Sequence, residues 1–209
     1  ITTKMKEKLN KEDVNLIICH IGSGSSIACV KDGKCYDTTM GLTPLDGLMM
    51  GTRSGAIDPS IIEYVCGETG KTVGEITNEL NKKSGYLGVS GYSDSRDVEN
   101  AAAEGNEDAQ LAITMYNNRV AKYIADYYIE LEGKVDAIVF TAGVGENSIH
   151  TRREVMDGLK ALGVEIDPEA NNIRGEEAIV STDDSKVKIM VIPTNEELAI
   201  ARETVALVK

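Results

Sequence analysis

The sequence predicts an α/β fold in which a mixed sheet carries an antiparallel hairpin and is flanked by helices. Continuous apolar runs typical of buried strands occur at residues 14–20, 136–140 and 187–192. Two further strand-like runs, IACVKDG and KCYDTTM, meet at Asp32-Gly33, which indicates a type I′ hairpin turn. Helical patterns between and after these runs complete the element order of an α/β protein.

The helices are predicted from apolar spacing and from residues that begin or end a helix. They cover residues 60 to 67 or 70, 72–83, 98–131, 150–162 and 196–208. Pro59 fits the first turn of the first of these helices, and Gly133 is a suitable stop for the long one. Residues 84–97 are rich in Gly and Ser and are predicted to form a loop.

Length and composition predict one globular domain, residues 1–209, with 42% hydrophobic and 27% charged residues. The 22 basic and 34 acidic residues give a net charge of -12, which argues against a general nucleic-acid binder but not against a nucleotide site. The N-terminal region has no signal-peptide pattern, and no apolar run has the length of a membrane helix. We therefore expect a cytoplasmic protein without membrane contact, with reduced thiols at Cys19, Cys29, Cys35 and Cys66.

Residues 43–59, TPLDGLMMGTRSGAIDP, hold one cation, Arg53, among the glycines Gly47, Gly51 and Gly55. The stretch follows neither a helix nor a strand period for long. A guanidinium on a glycine-rich backbone suits bidentate contact with an anionic group such as a phosphate. The alternative is an ordinary surface arginine in a turn.

Two glycine-containing turns follow predicted strands. They comprise His20, Ile21, Gly22, Ser23 and Gly24 after the first strand, and Gly143, Val144, Gly145, Glu146 and Asn147 after the strand DAIVF. Glycine N–H groups can point at phosphate oxygens, and a strand, G-x-G and a helix is a nucleotide-binding order in α/β folds. An ordinary hairpin turn and an ordinary strand-to-helix turn remain the alternatives, because the full G-x-G-x-x-G pattern is missing.

Two polar segments precede predicted helices. Asp94 and Arg96 could contact a nucleoside, but a helix N-cap with solvated charges is favoured on the residues alone. Thr194 and Glu197 have capping-box spacing, which leaves Glu196 free to hold Mg²⁺ through water or to compensate the helix dipole. The sequence combines turns suited to phosphate binding with an isolated arginine and a candidate Mg²⁺ carboxylate, and it shows no nucleophile–base pair. This combination indicates phosphoryl transfer.

Four segments carry a resemblance to a known family. HIGSGSS, MGLTPLDGLMMGTRSGAIDP, FTAGVGENSIHTRR and VIPTNEELAIA resemble the acetate kinase (acetokinase) family, in order along nearly the whole chain. The resemblance implies the ribonuclease-H-like fold of the acetate and sugar kinase, Hsp70 and actin superfamily. It also implies that residues 1–209 are the C-terminal nucleotide-binding domain, and that the N-terminal domain with its N-x-G-S-S-S-x-K segment is absent from this chain.

The same resemblance implies roles for individual residues. Arg53 matches the arginine that stabilises the transferring phosphoryl group, and Glu196 matches the Mg²⁺ carboxylate. The first glycine turn, residues 20–24, matches the phosphate-contacting turn of the family. The residues that match the family's segments around the adenosine are Asp94, Ser95, Arg96, Gly143, Val144, Gly145, Glu146 and Asn147. Two departures stand out: Ser23 replaces the asparagine of the usual H-L-G-N-G, and the loop at 93–97 is about one residue shorter than usual.

The activity implied is reversible, Mg²⁺- or Mn²⁺-dependent transfer of the ATP γ-phosphoryl group to acetate, giving acetyl phosphate and ADP. The resemblance also implies a homodimer formed through this half, and it implies that the acetate site belongs mainly to the other half. We therefore expect the chain alone to bind ATP or ADP weakly and not to turn over acetate. A propionate or butyrate kinase of the same family and a non-catalytic dimerisation or interaction domain are the alternatives.

Overall fold

The computed structural model describes residues 1–208. Its strands are β1 Leu16–Ile21, β2 Ser25–Lys31, β3 Lys34–Thr38, β4 Ala137–Thr141, β5 Ala178–Ile179 and β6 Lys188–Val191. Its helices are α1 Thr2–Leu9, α2 Ser60–Thr69, α3 Val73–Lys82, α4 Gly85–Ser90, α5 Ser95–Ala103, α6 Glu107–Glu130, α7 Ala142–Asn147, α8 Ile149–Asp157 and α9 Glu196–Val208.

The six strands form one mixed sheet in the order β3-β2-β1-β4-β6-β5. β1, β4 and β6 run parallel, whereas β2 and β3 continue from β1 as antiparallel neighbours and β5 is antiparallel to β6. Asp32 and Gly33 have φ angles of 51° and 73°, as a type I′ turn requires. The predicted mixed sheet with an antiparallel hairpin is therefore confirmed. Because β1, β4 and β6 are parallel, their carboxyl ends lie at one edge.

Helices cover both faces of the sheet. The central strand β4 is buried at each of its positions, as expected for a parallel strand between two layers. On one face, α6 packs its apolar side, including Val120, Ile124 and Tyr127, into the larger core cluster. On the other face, α1 contributes Met5 to a smaller cluster with Leu16 and Val139. The sequence reasoning missed α1, whose few apolar residues stand among many lysines.

The prediction of one long helix over 98–131 is wrong. The chain forms α5 and α6, separated by residues 104–106, where Gly105 has a φ of 94°. Asn106 then starts α6, because its side-chain oxygen accepts a 3.0 Å hydrogen bond from the Ala109 N–H. Residues 104–108, EGNED, carry no apolar side chain, so Gly105 followed by Asn106 was a readable signal for the break that the prediction overlooked.

Four further local predictions need correction. The predicted loop at 84–97 contains all of α4 and the start of α5, and the turn at 143–147 is itself part of the short helix α7. The predicted helix at 150–162 ends at Asp157 and is followed by a 3₁₀ turn at Lys160–Leu162. The capping box of Thr194 and Glu197 is also wrong, since the Leu198 N–H donates to the Asn195 side chain at 3.0 Å.

Two other predicted helix ends agree with the structure. α2 stops at Gly70, whose φ of 70° is left-handed, and α9 has the predicted bounds. The described residues of α9 bury no side chain. Within residues 1–208, every helix is too short or too polar to cross a membrane.

Candidate functional site

The segments that follow β1, β4 and β6 converge at the carboxyl edge of the sheet. A Cβ built on Gly22 would lie 3.7 Å from the Cβ of Ala142 and 3.9 Å from the backbone nitrogen of Gly143. The segment after β6 joins them, because the Thr141 and Thr194 hydroxyl oxygens are 2.7 Å apart. Crevices outside the carboxyl ends of parallel strands are the usual ligand sites of open α/β sheets.

A cavity of about 360 Å³ opens at this edge. Its size falls within the range of small-molecule sites, ~300–1,000 Å³. The predicted residues that line it are Gly22, Ser23, Asp94, Ser95, Arg96, Gly143, Val144 and Asn147. The sequence reasoning missed Glu99, Ser148 and Arg174, which line it as well. We call this space the nucleoside cavity, because it joins the two segments that the resemblance places around the adenosine.

A second, more acidic cavity of about 450 Å³ lies on the other side of Gly143. It is lined by His20, Ala142, Gly143, Glu146, Thr194, Asn195, Glu196 and Glu197. Gly143 belongs to both cavities, so the start of α7 is the ridge between them. We call this second space the acidic cavity.

Not every residue of the two predicted turns faces these cavities. Ile21 is fully buried, so its side chain belongs to the core and its backbone alone is near the turn. Gly145 is the buried residue of α7, and a Cβ there would lie 3.5 Å from the Phe140 carbonyl carbon and 3.6 Å from the Cys19 oxygen. A Cβ at Gly145 would thus make ordinary van der Waals contacts with β1 and β4, so this glycine packs against the sheet and does not face either cavity.

Thr194 attaches α7 to the segment that leads into α9. Its hydroxyl oxygen accepts the Ala142 N–H at 3.1 Å and lies 3.0 Å from the Glu146 carboxylate. Glu146 also accepts the Thr194 N–H at 2.9 Å. Ala142 has a φ of 65°, a left-handed conformation that is unfavourable for a residue with a Cβ. The wall between the two cavities therefore holds local strain as well as hydrogen bonds.

The loop that carries Arg53 is held by the N-terminus of α4. The N–H groups of Ser84, Tyr86 and Leu87 donate to the carbonyls of residues 52, 50 and 51, each at 2.9 Å. Gly85, with a φ of 63°, has no room for a side chain, because a Cβ there would collide with the Met50 and Arg53 carbonyls. The sequence signal for this support was Gly85 itself, which the loop prediction left without a role.

Arg53 points toward the first glycine turn. A Cβ on Gly24 would lie 4.0 Å from the Arg53 Nη1 atom. That nitrogen donates to the Pro44 carbonyl at 3.4 Å, a long distance for such a bond, and to the Met50 sulfur at 3.4 Å. Among residues 1–208, no carboxylate forms an ion pair with Arg53. Its positive charge is therefore available to an anion beside the turn.

Asp94 caps α5, as predicted. Its carboxylate accepts the Arg96 N–H at 2.9 Å and the Arg96 guanidinium at 3.0 and 2.9 Å. These hydrogen bonds from Arg96 lower the pKa of Asp94 to about 2. Both side chains also line the nucleoside cavity, so the capping role and a role in ligand contact are compatible.

Arg152 is a structural anchor that the sequence did not reveal. It is fully buried, and its guanidinium donates to the Gly145 carbonyl at 2.9 Å and to the Asn171 side chain at 2.7 Å. It also donates to the Asn171 and Ile173 carbonyls, both at 2.9 Å. Burial, with a smaller contribution from the nearby Arg174 charge, lowers the pKa of Arg152 to about 10, so it stays charged near neutral pH. Arg152 thereby fixes α7 against the segment that bears Arg174.

Oxygen donors in the acidic cavity suit a hard cation that keeps some of its waters. Glu196 and Glu197 begin α9 at its edge, beside Asn195. In the part of the chain that is described, no three His, Cys, Asp or Glu side chains are placed to hold a metal. Mg²⁺ commonly binds through one or two carboxylates, waters and substrate phosphates, and this donor set fits that mode.

The mixed sheet flanked by helices is the α/β fold of solved acetate and propionate kinases. Residues 1–202 match the sequence model of the Acetokinase family. The chain belongs to this acetokinase family.

Individual relatives agree with that assignment. An acetate kinase of Finegoldia magna is 56% identical over the whole chain, which covers 53% of that relative. The crystal structure of Porphyromonas gingivalis acetate kinase superimposes with a TM-score of 0.94 at 43% identity, over 100% of this chain and 53% of that one. A propionate kinase from Francisella tularensis gives a TM-score of 0.92 at 48% identity, over 97% and 52%. The chain thus spans about half the length of the relatives it matches.

Proposed function

We propose that this chain is the nucleotide-binding half of an acetate kinase. The reaction is the reversible transfer of the γ-phosphoryl group of ATP to acetate, which gives acetyl phosphate and ADP. One observation carries the proposal: the nucleoside cavity and the acidic cavity meet at Gly143, next to a turn that faces the unpaired guanidinium of Arg53. A nucleotide needs three adjacent environments. These are a cavity for the nucleoside, backbone donors for the phosphates, and positive charge beyond the phosphates.

In this proposal the nucleoside lies between α5 and the start of α8, in contact with Val144 and Asn147. The phosphates pass over Gly143 toward Gly22 and Gly24, where the backbone can approach them closely. Arg53 neutralises negative charge on the transferring phosphoryl group, which stabilises the transition state more than the ground state. Positioning and charge neutralisation are the main requirements of phosphoryl transfer, and these residues provide both.

Glu196 would hold Mg²⁺ (or Mn²⁺) through water, at the acidic side of Gly143. Bound there, the cation would supply charge neutralisation for the β- and γ-phosphates. Glu146 is not assigned to the cation, because its carboxylate accepts hydrogen bonds from the Thr194 N–H and hydroxyl. We assign it the task of holding the Thr194 segment, and thus Glu196, next to the phosphates.

The remaining parts of the proposal concern the rest of the assembly. The curated relatives are about twice as long as this chain, and we assign acetate binding and the general acid/base groups to their other half. By itself, the chain should bind ADP or ATP weakly without turning over acetate. We further propose a cytoplasmic homodimer formed through this half, consistent with the family resemblance.

Propionate or butyrate as the acyl substrate is the second candidate. The structural similarity to a protein described as a propionate kinase, at 48% identity, favours keeping it. The full-length protein that contains this chain should be assayed with acetate, propionate and butyrate. The highest kcat/KM with acetate supports the first candidate, and a higher value with either longer acid favours the second.

The test of the main proposal combines binding with turnover. Calorimetric titration of the purified chain with ADP and Mg²⁺ should show a saturable site, and the chain alone should form no acetyl phosphate from ATP and acetate. The full-length protein should form it. Absence of nucleotide binding by the chain would instead support a non-catalytic interaction domain. Robust turnover by the chain alone would contradict the assignment of acetate binding and the acid/base groups to the other half.

A further inference from the structure

A chain of buried hydroxyl groups runs from α6 to the first glycine turn. The Tyr116 hydroxyl donates to the Ser25 hydroxyl oxygen at 2.9 Å, and the Ser25 hydroxyl donates to the Gly22 carbonyl oxygen at 3.1 Å. Tyr116 and Ser25 are 3% and 1% exposed, and burial raises the pKa of Tyr116, which keeps its proton near neutral pH. Because a carbonyl can only accept, Ser25 must donate to Gly22, and Tyr116 must then donate to Ser25. The direction of both hydrogen bonds is therefore fixed.

These bonds determine which way the peptide group between Gly22 and Ser23 faces. In a planar trans peptide, the carbonyl of one residue and the N–H of the next point in opposite directions. The Gly22 carbonyl is directed inward to the buried Ser25, so the Ser23 N–H is directed outward, where Ser23 lines the edge of the nucleoside cavity. Within residues 1–208, this N–H donates to no other residue. It is therefore available to an anion that lies on the turn.

The ring of Tyr116 supports the opposite side of the same site. Its centroid lies 5.2 Å from the centroid of the Tyr86 ring, in a tilted arrangement. Tyr86 belongs to α4, and its N–H donates to the Met50 carbonyl in the loop that carries Arg53. One buried side chain thus contacts the supports of both the glycine turn and the Arg53 loop, through its hydroxyl and its ring respectively. Removal of the hydroxyl alone can therefore test the turn while the ring is kept.

We infer that Tyr116 and Ser25 are positioning residues for phosphate binding, because they hold the peptide after Gly22 with its N–H toward the phosphates. The inference rests on the proposed function, since that proposal passes the phosphates over this turn. It goes further in naming one backbone donor, the Ser23 N–H, and the buried side chains that orient it. A donor fixed in this way does not need to reorganise when an anion binds. Tyr116 and Ser25 act through the backbone of the turn and do not touch the nucleotide.

The test compares the wild-type chain with the double substitution Ser25→Ala/Tyr116→Phe by calorimetric titration with ADP and with adenosine, each with Mg²⁺. Since both hydroxyls are removed together, neither is left buried without its partner, and the melting temperature should stay close to that of wild type. ADP, whose phosphates reach the turn, should bind about 10-fold more weakly to the double variant. Adenosine, which has no phosphate, should bind as tightly as it does to wild type.

Two single substitutions complete the test. Tyr116→Phe alone keeps the ring and the bond from Ser25 to Gly22, and it should lower the ratio of ADP affinity to adenosine affinity by about 3-fold. It also decides the question if the double variant does not fold. Tyr127→Phe is the matched control, because Tyr127 is a buried tyrosine about three turns further along α6, and it should leave the ratio unchanged.

The possible failures are distinguishable. A ratio that neither Tyr116 variant changes overturns the inference and leaves the proposed function intact. Equal losses of ADP and adenosine binding also overturn it, because the two hydroxyls would then support the fold in general and not the phosphate contact. If the wild-type chain binds neither ligand, the proposed function itself fails and the inference fails with it.

Discussion

Arg53 illustrates how a single residue acquires its role from its surroundings. Its guanidinium makes two 3.4 Å contacts with uncharged groups and faces the first glycine turn. The backbone around it is held by three hydrogen bonds that Ser84, Tyr86 and Leu87, at the start of α4, donate to the carbonyls of residues 50–52. A preorganised cation of this kind does not need to reorganise when negative charge develops beside it.

Replacing this guanidinium should therefore affect turnover more than binding. In the full-length protein, Arg53→Ala should lower kcat by about 100-fold or more, while the dissociation constant of ADP changes by less than about 3-fold. Steady-state assays of acetyl phosphate formation and an ADP titration measure the two effects. Arg53→Lys, which keeps the charge without the planar fork, should fall between wild type and Arg53→Ala. Unchanged turnover in Arg53→Ala contradicts the proposed role.

Ala142 is a second position where one residue matters. Its φ of 65° gives a residue with a Cβ a left-handed backbone conformation. It lies at the start of α7, at the ridge between the two cavities. Left-handed backbone costs a residue with a Cβ about 1–2 kcal/mol, and glycine avoids most of this cost.

Ala142→Gly should accordingly stabilise the chain by about 0.5–1 kcal/mol, after the larger entropy loss of glycine on folding is deducted. Urea denaturation at constant m-value measures the change. Ala125→Gly, within α6, is the control and should destabilise the chain by about 1 kcal/mol. A loss of stability in Ala142→Gly similar to that of the control would show that the strain is absent.

At the scale of elements, α7 depends on partners outside its own backbone. It spans just Ala142–Asn147, too short to be stable alone. Thr194 holds its start, and Arg152 holds the Gly145 carbonyl in its second half. The position of α7 is therefore decided by residues outside its own segment, one of which, Thr194, is 52 residues from Ala142 in the chain.

Thr194→Val removes the hydroxyl while keeping the shape of the side chain. The Ala142 N–H loses its acceptor, and the change should destabilise the chain by about 1–3 kcal/mol. In the full-length protein, the apparent Mg²⁺ requirement should also rise, because the segment that carries Glu196 is less firmly held. Thermal unfolding and Mg²⁺ titration of turnover are the measurements.

Thr182→Val is a matched control for that experiment. The Thr182 hydroxyl is buried and has no hydrogen-bond partner among the described residues. Its removal should be nearly neutral or slightly stabilising. Equal effects of the two substitutions would mean that the Thr194 hydroxyl does not stabilise α7.

At the scale of the whole molecule, the charge balance bears on stability. The net charge is -12, and some carboxylates lie close together. Glu130 is one of them: burial, and then the charges of Asp37 and Asp126, raise its pKa. Its Oε2 atom is buried and lacks a hydrogen-bond partner within residues 1–208. The folded chain thus favours the protonated form of Glu130 more than the unfolded chain does.

The sign of the pH dependence follows from linkage. Between the ordinary glutamate value of 4.5 and the raised pKa, the folded state holds more protons than the unfolded state, so stability falls as pH rises. Glu130→Gln cannot ionise and should be more stable than wild type at pH 7, with a difference that shrinks toward zero as pH falls below that ordinary value. Urea denaturation between pH 4 and 8, with about unit steps, tests it.

Glu132→Gln is the surface control for this pH series. Lys134 lowers the pKa of Glu132 through a hydrogen bond and its charge, so the sign is opposite. Removing this carboxylate should not stabilise the chain at pH 7. Stabilisation by both substitutions would indicate a general effect of net charge rather than an effect of the buried Glu130 Oε2 atom.

The sequence by itself determined the class of fold and five of the six strands, missing β5, and it supplied the residues proposed to contact phosphates. Strand runs and the Asp32-Gly33 turn were sufficient because they depend on local conformation and burial, which adjacent residues encode. The capping role of Asp94 was also readable, since its partner is two residues away. The break between α5 and α6 was also readable, because residues 104–108, EGNED, interrupt the apolar pattern with a glycine and an N-cap asparagine, but the prediction overlooked it.

Only the tertiary structure decided which of those residues share a cavity and what holds them there. Glu99 and Ser148 are 49 residues apart, and Thr194 reaches Ala142 across 52. Arg152 could not be told from its neighbour Arg153, yet it is the one that the fold buries against four oxygen acceptors. Such contacts depend on the parallel alignment of β1, β4 and β6, which brings distant segments to one edge. Burial and long-range hydrogen bonds are properties of that arrangement, and no local pattern in the sequence specifies them.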